Sequence, residues 1–336
     1  MVDRYSRQIL FPGIGKEGQK KLGDSCVVVV GCGALGTVIA TSLVRAGVGK
    51  IRVVDRDFIE YHNLQRQVLF DEEDIKNGLP KAIAAEQHLK KVNSMVEIEG
   101  VVADVNYTNV ERFASGADLI LDGLDNFETR FLINDVSLKH KIPWVYGGAI
   151  SAYGMTMNII PGETPCLRCF LANPPKGVTI STCDTVGVIS PAPFVIGSLQ
   201  SAEAMKILVG AETINRELIV IDVWEDKFSR FKIGRRADCP ACQGKYEFLE
   251  ARFGTKTTSL CGQNAVQVLN PNAGSVSLPE LAVRLMPVGQ VAYNEFMLRF
   301  TTDSYEMVIF PDGRAIVKNT NDESLARGLY AKFIGV

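Results

Sequence analysis

The sequence predicts an α/β fold: a doubly wound, mostly parallel Rossmann-like sheet with an antiparallel extension, then a small α+β domain. Three observations carry this. Apolar strand-like runs alternate with helical segments from Val27 to Tyr146, the pattern that builds a parallel sheet covered on both faces. Four valines lead into Gly31-Cys32-Gly33-Ala34-Leu35-Gly36 and a helix, and a second strand, Ile51–Val54, ends in Asp55. From about residue 250 the pattern changes to short strands mixed with short helices. The predicted domains are therefore residues 1–249 and 250–336.

Taken in order, the first 25 residues are polar and mixed and read as a solvated N-terminal arm carrying Arg4, Tyr5, Ser6, Arg7 and Gln8. Val27–Asp55 then gives strand, glycine turn, helix, strand and acid, the arrangement that holds a nucleotide at a helix N-terminus. Gly31 permits the tight turn, Gly33 lets backbone approach a phosphate, and Gly36 lets helix and strand pack closely. Asp55 is placed to accept hydrogen bonds from a ribose. Asn63, Gln65, Arg66 and Gln67 form a dense polar group beyond the strand end, where open parallel sheets bind ligands. Pro80-Lys81 opens a helix with Ala82, Ala85, Leu89 and Val92 on one face. Strands follow at Val96–Val102 and Leu119–Asp122, with a helical turn at Val110–Phe113 between them. The second strand runs into Gly123-Leu124-Asp125-Asn126. Thr129–Lys139 is helical, and Ile142–Tyr146 is a strand running into Gly147-Gly148. Met155–Ile160, Leu218–Asp222 and Phe228–Ile233 make the antiparallel extension. Ala192–Leu208 is a helix whose stripe of Val195, Ile196, Leu199, Ala202, Met205 and Leu208 reads as core. The C-terminal part has predicted strands at Ala265–Leu269, Met297–Thr301, Met307–Phe310 and Ala315–Val317. Its helices lie near Leu278–Leu285 and Ser324–Phe333, with a hairpin turn at Pro311–Arg314. It shows no catalytic cluster.

The chain has 336 residues, 46% apolar and 22% charged, with a formal net charge of −2. That balance argues against a nucleic-acid or basic membrane-facing surface. No apolar run approaches the ~20 residues of a membrane span, and the N-terminus carries charges where a signal peptide is apolar. The expected location is the cytoplasm, where eight cysteines stay reduced. Cys26 and Cys32 read as packing residues. Cys166-Leu-Arg-Cys169 and Cys239-Pro-Ala-Cys242 are two knuckles that together suit a closed, structural zinc site. Cys183, in Ser181-Thr182-Cys183-Asp184-Thr185, lies in a Gly/Pro-flanked loop as bystander or nucleophile; Cys261 has no role that spacing reveals.

Arg-Tyr-Ser-Arg-Gln at 4–8, GCGALG at 31–36, VVDRD at 53–57, NLQRQ at 63–67, Pro80-Lys81, Leu124-Asp125-Asn126, the two cysteine pairs and TCDTVGVISP at 182–191 occur in this order. Over about residues 1–245 the chain resembles the ThiF/MoeB/HesA family, bacterial relatives of ubiquitin-activating enzymes. The resemblance implies adenylation, with ATP and Mg²⁺, of the C-terminal glycine of a small β-grasp carrier ending in Gly-Gly. Such carriers are ThiS-like in thiamine synthesis or MoaD-like in molybdenum-cofactor synthesis. Gly31, Gly33 and Ala34 would line the ATP site and Asp55 would hold the ribose. Asn63, Arg66 and Lys81 would contact phosphates, with Gln67 from the same motif among the nucleotide-binding residues. Asp125 would coordinate Mg²⁺ with Asn126 beside it. Arg7 would reach into the partner subunit's site, implying a homodimer. Cys166, Cys169, Cys239 and Cys242 match the family's zinc ligands, and Cys183 matches a thiol that some members link to the carrier. A sulfurtransferase or cysteine desulfurase is a further implied partner. The chain departs from the pattern at Ala34, often glycine, and at Leu124, often threonine; neither change removes a charge.

A terminal carboxylate, with pKa about 3.5, is ionised at neutral pH and needs no general base. What it needs is charge compensation as it nears a polyanion, which positions 7, 66 and 81 and a metal at Asp125 would supply. There is no GxxxxGK[ST] motif. Two alternatives use the same fingerprint. A nicotinamide-dependent dehydrogenase would leave Arg66, Lys81 and Asp125 as surplus charges. A non-catalytic partner of an activating heterodimer would have no need of every charged position being filled.

Overall fold

The computed structural model describes residues 4–173, 186–250, 257–260, 264–268, 276–302 and 304–334. The chain divides into two compact units, one running to Phe253 and the other beginning at Gly254.

The first unit is built on eight strands: β1 (Cys26–Val30), β2 (Lys50–Asp55), β3 (Glu97–Val102), β4 (Leu119–Asp122), β5 (Trp144–Ile150), β6 (Tyr153–Ile159), β7 (Leu218–Asp222) and β8 (Lys227–Phe231). Their order is β3-β2-β1-β4-β5-β6-β7-β8. The first five run parallel and β6 to β8 antiparallel, as the sequence predicts. The chain leaves β1 toward β2 on one side and later returns to β4 on the other. The carboxyl end of β1 is therefore the topological switch point, where such sheets bind ligands.

Helices α1 (Ser6–Ile9), α2 (Gly15–Asp24), α3 (Ala34–Ala46), α4 (Glu72–Lys76), α5 (Lys81–Val92), α6 (Val110–Ala114), α7 (Phe127–His140), α8 (Leu167–Phe170) and α9 (Pro191–Val209) complete this unit. The valine run of β1 is explained by two cores. Val27 and Val29 pack with Ile39, Leu43, Leu89 and Ile196 on one face. Val28 and Val30 pack with Phe131, Trp144 and Ile159 on the other. A strand covered on both faces has no reason to alternate.

Three expectations need correction. The N-terminal segment is not a solvated arm, because α2 buries Leu22 completely and Lys21 Nζ donates to Val209 O at 2.8 Å. Leu22 is the only large apolar residue of that helix, too little for a periodicity. β5 does not stop at Tyr146 but runs through Gly147-Gly148. A Cβ at residue 147 would lie 2.4 Å from the Gln200 carboxamide, so the glycine serves close packing inside a strand. The buried face of α9 is also partly polar. Val195 is 38% exposed, while Gln200, Ser201 and Glu203 are buried. Gln200 Nε2 donates to Asp122 O at 2.9 Å and Glu203 accepts from Asn158 Nδ2 at 2.6 Å, which offsets the cost of burying them.

The second unit is an antiparallel sheet of β9 (Thr257–Leu260), β10 (Ala265–Val268), β11 (Gln290–Tyr293), β12 (Leu298–Thr301), β13 (Glu306–Ile309) and β14 (Ala315–Lys318), in the order β11-β12-β13-β14-β10-β9. Helices α10 (Leu278–Leu285) and α11 (Glu323–Phe333) pack Leu281, Leu285 and Tyr330 on Phe300 and Ile309. The strands missed in the sequence, β9 and β11, are the two edges. In β11 no residue is fully buried, so it lacks the alternation that marks a covered strand.

A Cβ at residue 36 would lie 2.0 Å from the Gly31 carbonyl oxygen. Gly36→Ala is expected to cost about 2–4 kcal/mol through forced backbone movement, read as a lower thermal midpoint.

Candidate functional site

The switch point is closed by backbone packed on backbone. Gly31 has φ +90°, and a Cβ there would lie 2.6 Å from Gly123 O; a Cβ on Gly123 would lie 2.2 Å from Gly31 O. The turns leaving β1 and β4 therefore touch without side chains. Gly33 precedes α3, and no side chain caps that helix, leaving its first N–H groups and positive dipole end facing the turn. Ala34 is the first residue of α3. Gln67 is buried beside it, with Nε2 3.9 Å from where a Gly33 Cβ would stand and with Oε1 lacking a partner. An unpartnered buried carboxamide oxygen on a side chain lying beside the glycine turn suits a polar ligand.

Asp55 ends β2 beneath this turn. Its Oδ2 accepts from Cys32 N at 2.5 Å and its Oδ1 from Asp57 N at 2.7 Å. Each oxygen retains a lone pair for a hydroxyl. Burial raises the pKa of this carboxyl, with the Lys81 ammonium and the two N–H bonds opposing the rise. Asn63 has its carboxamide oxygen committed to Glu60 N at 3.0 Å, closing the cap of a short 3-10 turn. Arg66 lies on the same segment, its Nη1 donating to His62 O at 2.8 Å.

Lys81 begins α5 and is buried. Its Nζ lies 3.3 Å from Asp57 Oδ2. Burial works against its charge, but the carboxylates of Asp57, Asp55 and Asp125 outweigh it and the pKa is raised. Arg56 lies beside them, Nη1 at 2.7 Å from Asp104 Oδ1 and Nε at 3.7 Å from Asp57 Oδ1. Its charge is likewise held against burial by Asp104, Asp57 and Asp125. A buried cation, Lys81, and a half-buried one, Arg56, thus face a set of carboxylates at the ends of β2, β3 and β4.

Asp125 itself is exposed, and the loop that presents it is clamped from below. Arg130 Nε meets the fully buried Asp122 at 2.9 Å, and Arg130 Nη2 donates to Leu124 O at 2.6 Å and Gly147 O at 2.7 Å. Asp122 accepts from Leu124 N at 2.9 Å. Burial raises the pKa of Asp122, and Arg130 is the chief opposing influence. Asn126 caps α7 by accepting from Thr129 N at 3.0 Å, and its Nδ2 is 3.4 Å from Asp125 Oδ1. Leu124, where threonine is common, packs against the second core.

The four knuckle cysteines converge elsewhere in this unit. Cys166 Sγ lies 3.8 Å from Cys169, 3.6 Å from Cys239 and 3.5 Å from Cys242, and Cys169 is 3.6 Å from Cys242. Four sulfurs about 2.3 Å from a tetrahedral zinc would be about 3.8 Å apart, whereas a disulfide needs about 2.05 Å. The cluster could hold a metal ion. Arg236 N reaches Cys169 Sγ at 3.5 Å, the kind of outer contact that orients a thiolate ligand.

Gly31, Gly33, Ala34, Asp55, Gln67, Lys81 and Asp125 therefore gather around the switch point, and Asn63 and Arg66 lie on the segment carrying Gln67. Arg7 does not join them. Its helix α1 is tied to the far end of α3 by Gln8 Nε2, 2.8 Å from Ala46 O, and to the end of α5 by Tyr5, whose Oη accepts from Asn93 Nδ2 at 2.8 Å. At 1.5 Å per residue, α3 puts that end about 20 Å from the glycine turn. Arg7 is exposed there. Cys32 is fully buried, where burial pushes its thiol up, and Cys26 is half-buried. Cys183 and Cys261 lie outside the described residues. The sequence reading missed Arg56, Asp57, Asp104, Asp122 and Arg130; Asp57 alone had a signal, as the second acid of VVDRD.

The ThiF family model matches residues 5–241. The chain belongs to the ThiF family. It is 42% identical over 339 residues to the sulfur carrier protein ThiS adenylyltransferase of Bacillus subtilis (strain 168), covering all of both chains. It is 38% identical over 242 residues to the SAMP-activating enzyme E1 of Haloferax volcanii, covering 72% of this chain and 88% of that one. Among solved structures, E. coli MccB with MccA-N7isoASN superposes with a TM-score of 0.64 at 25% identity, covering 72% of this chain and 75% of that one. Of the described residues, no helix is long and apolar enough to cross a membrane.

Removing Arg130 would leave Asp122 buried and unpaired under the Asp125 loop. Arg130→Met is expected to cost about 3–5 kcal/mol, measured by denaturant unfolding. Adding Asp122→Asn to that variant should recover part of the loss.

Proposed function

We propose that this ThiF-family protein is an adenylyltransferase that activates the C-terminal glycine carboxylate of a small β-grasp sulfur-carrier protein with ATP. The observation that carries the reading is Lys81 and Asp125 standing at the strand ends around a glycine turn and an uncapped helix N-terminus. The carrier's carboxylate oxygen attacks the α-phosphorus, the bond from that phosphorus to the bridging oxygen breaks, and pyrophosphate leaves with the electron pair. The product is an acyl-adenylate ready to receive sulfur. No proton moves in this step, so the site works by positioning and charge. Asp55 holds the ribose, the glycine turn and α3 receive the phosphates, and Lys81 and Arg66 compensate their charge. Asp125 is the residue that would hold Mg²⁺, which screens the phosphates.

The full-length likeness to the B. subtilis protein supports a ThiS-like carrier and the thiamine route. A MoaD-like carrier for molybdenum cofactor is the second reading, favoured by relatives named adenylyltransferase and sulfurtransferase MOCS3, such as that of Xenopus laevis, 36% identical over 265 residues. Cys166, Cys169, Cys239 and Cys242 would bind zinc, and the near-tetrahedral sulfur spacing supports this. With four protein ligands such a site is closed and structural. Cys183 as the thiol that links to the carrier belongs to the same proposal.

The position of α1 supports a homodimer in which Arg7 serves the partner's site. The α1 helix lies at the end of α3 remote from its own glycine turn, so a finger that touches phosphate must come from a second copy.

Asp125→Ala is expected to abolish ATP–pyrophosphate exchange with a Gly-Gly-ended carrier while zinc content and dimer mass stay unchanged. Exchange at the wild-type rate would overturn the mechanism. Arg7→Ala and Asp125→Ala proteins, each inactive, should on mixing and subunit exchange regain about a quarter of wild-type activity, because half the dimers are mixed and each has one intact site. Action of Arg7 within its own chain predicts no recovery.

A further inference from the structure

Lys81 is a buried ammonium on the first residue of a helix, and something must hold it at the strand ends before a phosphate arrives. Its nearest charged atom is Asp57 Oδ2, at 3.3 Å. The same carboxylate lies 3.7 Å from Arg56 Nε through its other oxygen, and Arg56 is anchored in turn to Asp104 at 2.7 Å. The backbones are joined as well. Lys81 N donates to Asp57 O at 2.9 Å, and Phe58 pairs with Pro80 in an isolated antiparallel bridge. The end of β2 and the start of α5 are thereby locked together around this one carboxylate.

We infer that Asp57 is a positioning residue of the adenylation step: it holds the Lys81 ammonium at the α3 turn so that the phosphate meets a charge already in place. This rests on the reading that Lys81 contacts the phosphates. Asp55, by contrast, gives both its oxygens to backbone N–H groups and acts on Lys81 from further away. The groups facing Lys81 are Asp55 and Asp57 from the end of β2, Asp125 from the β4 loop and the Cys32 thiol from the glycine turn. Among the carboxylates Asp57 is the largest influence keeping Lys81 charged against its burial. Removing that charge lets the ammonium lose its proton at lower pH. The sign is definite: activity that needs the cation is lost sooner as pH rises.

The experiment is ATP–pyrophosphate exchange by the full-length dimer as a function of pH, for wild type, Asp57→Asn, Asp57→Glu and Lys81→Met. Asp57→Asn is expected to lower kcat on the order of 100-fold, the scale of a misplaced reacting group, with a smaller change in KM for ATP. Its alkaline limb should move toward neutral by about 1–3 pH units. Asp57→Glu, keeping the charge, should keep the wild-type limb and recover much of kcat. An Asp57→Asn protein with wild-type kcat, or one whose residual activity keeps the wild-type alkaline limb and is not recovered by Asp57→Glu, overturns the inference while an inactive Lys81→Met leaves the proposed function standing. A Lys81→Met protein with wild-type exchange removes the role of Lys81 itself, and that of Asp57 with it.

Discussion

The contact on which the rest of the site depends has no side chains in it. The turns leaving β1 and β4 approach until Gly31 and Gly123 meet backbone to backbone, and Gly36 lets α3 start against the same carbonyl. Any Cβ at these points would part the two strand ends or tilt the helix. Because they stay together, the helix N-terminus, Asp55 and the Asp125 loop share one small volume. Packing at this density transmits small displacements rather than absorbing them. Charged groups placed here keep their relative positions without a ligand.

A second layer of order is electrostatic. The Asp122–Arg130 pair is buried under the β4 loop and spends its hydrogen bonds on loop and strand backbone. Its value is geometric, since buried pairs add little net stability. Above it, Asp57 and Asp104 engage Lys81 and Arg56. Carboxylates thus occupy both sides of the proposed phosphate site. They hold its cations in place and charged, and that suits a reaction in which geometry and charge matter more than proton transfer.

What the sequence made legible follows from what each residue needs. The glycines and the valine run are dictated by backbone approach and two-sided burial, so they survive as pattern. The paired cysteines read from spacing, and the structure brings all four sulfurs together. Arg130 and Asp122 were not legible, because their meeting across a strand, a turn and a helix leaves no local signature. Arg56 looks in sequence like any charged residue after a strand, and Asp57 is marked only as the second acid of VVDRD. The N-terminal segment was misread because α2 has one large apolar side chain, and its attachment relies on Lys21 reaching a backbone carbonyl 188 positions away. The edge strand β11 escaped for a similar reason: none of its residues is fully buried, so it carries no alternation.

The cysteine cluster has a temporal consequence. Two of its sulfurs arrive with α8 and two only after α9, β7 and β8 have been made, so during synthesis the first pair must wait, reduced and half-coordinated, for the second. A cation held by all four sulfurs would act as a clasp across the antiparallel half of the sheet, shrinking the conformational freedom of the open chain much as a crosslink would. Oxidation of either pair into a disulfide before closure would strand that half of the sheet without its clasp. A metal held there would tie correct assembly of this protein to the thiol balance of the compartment in which it is made.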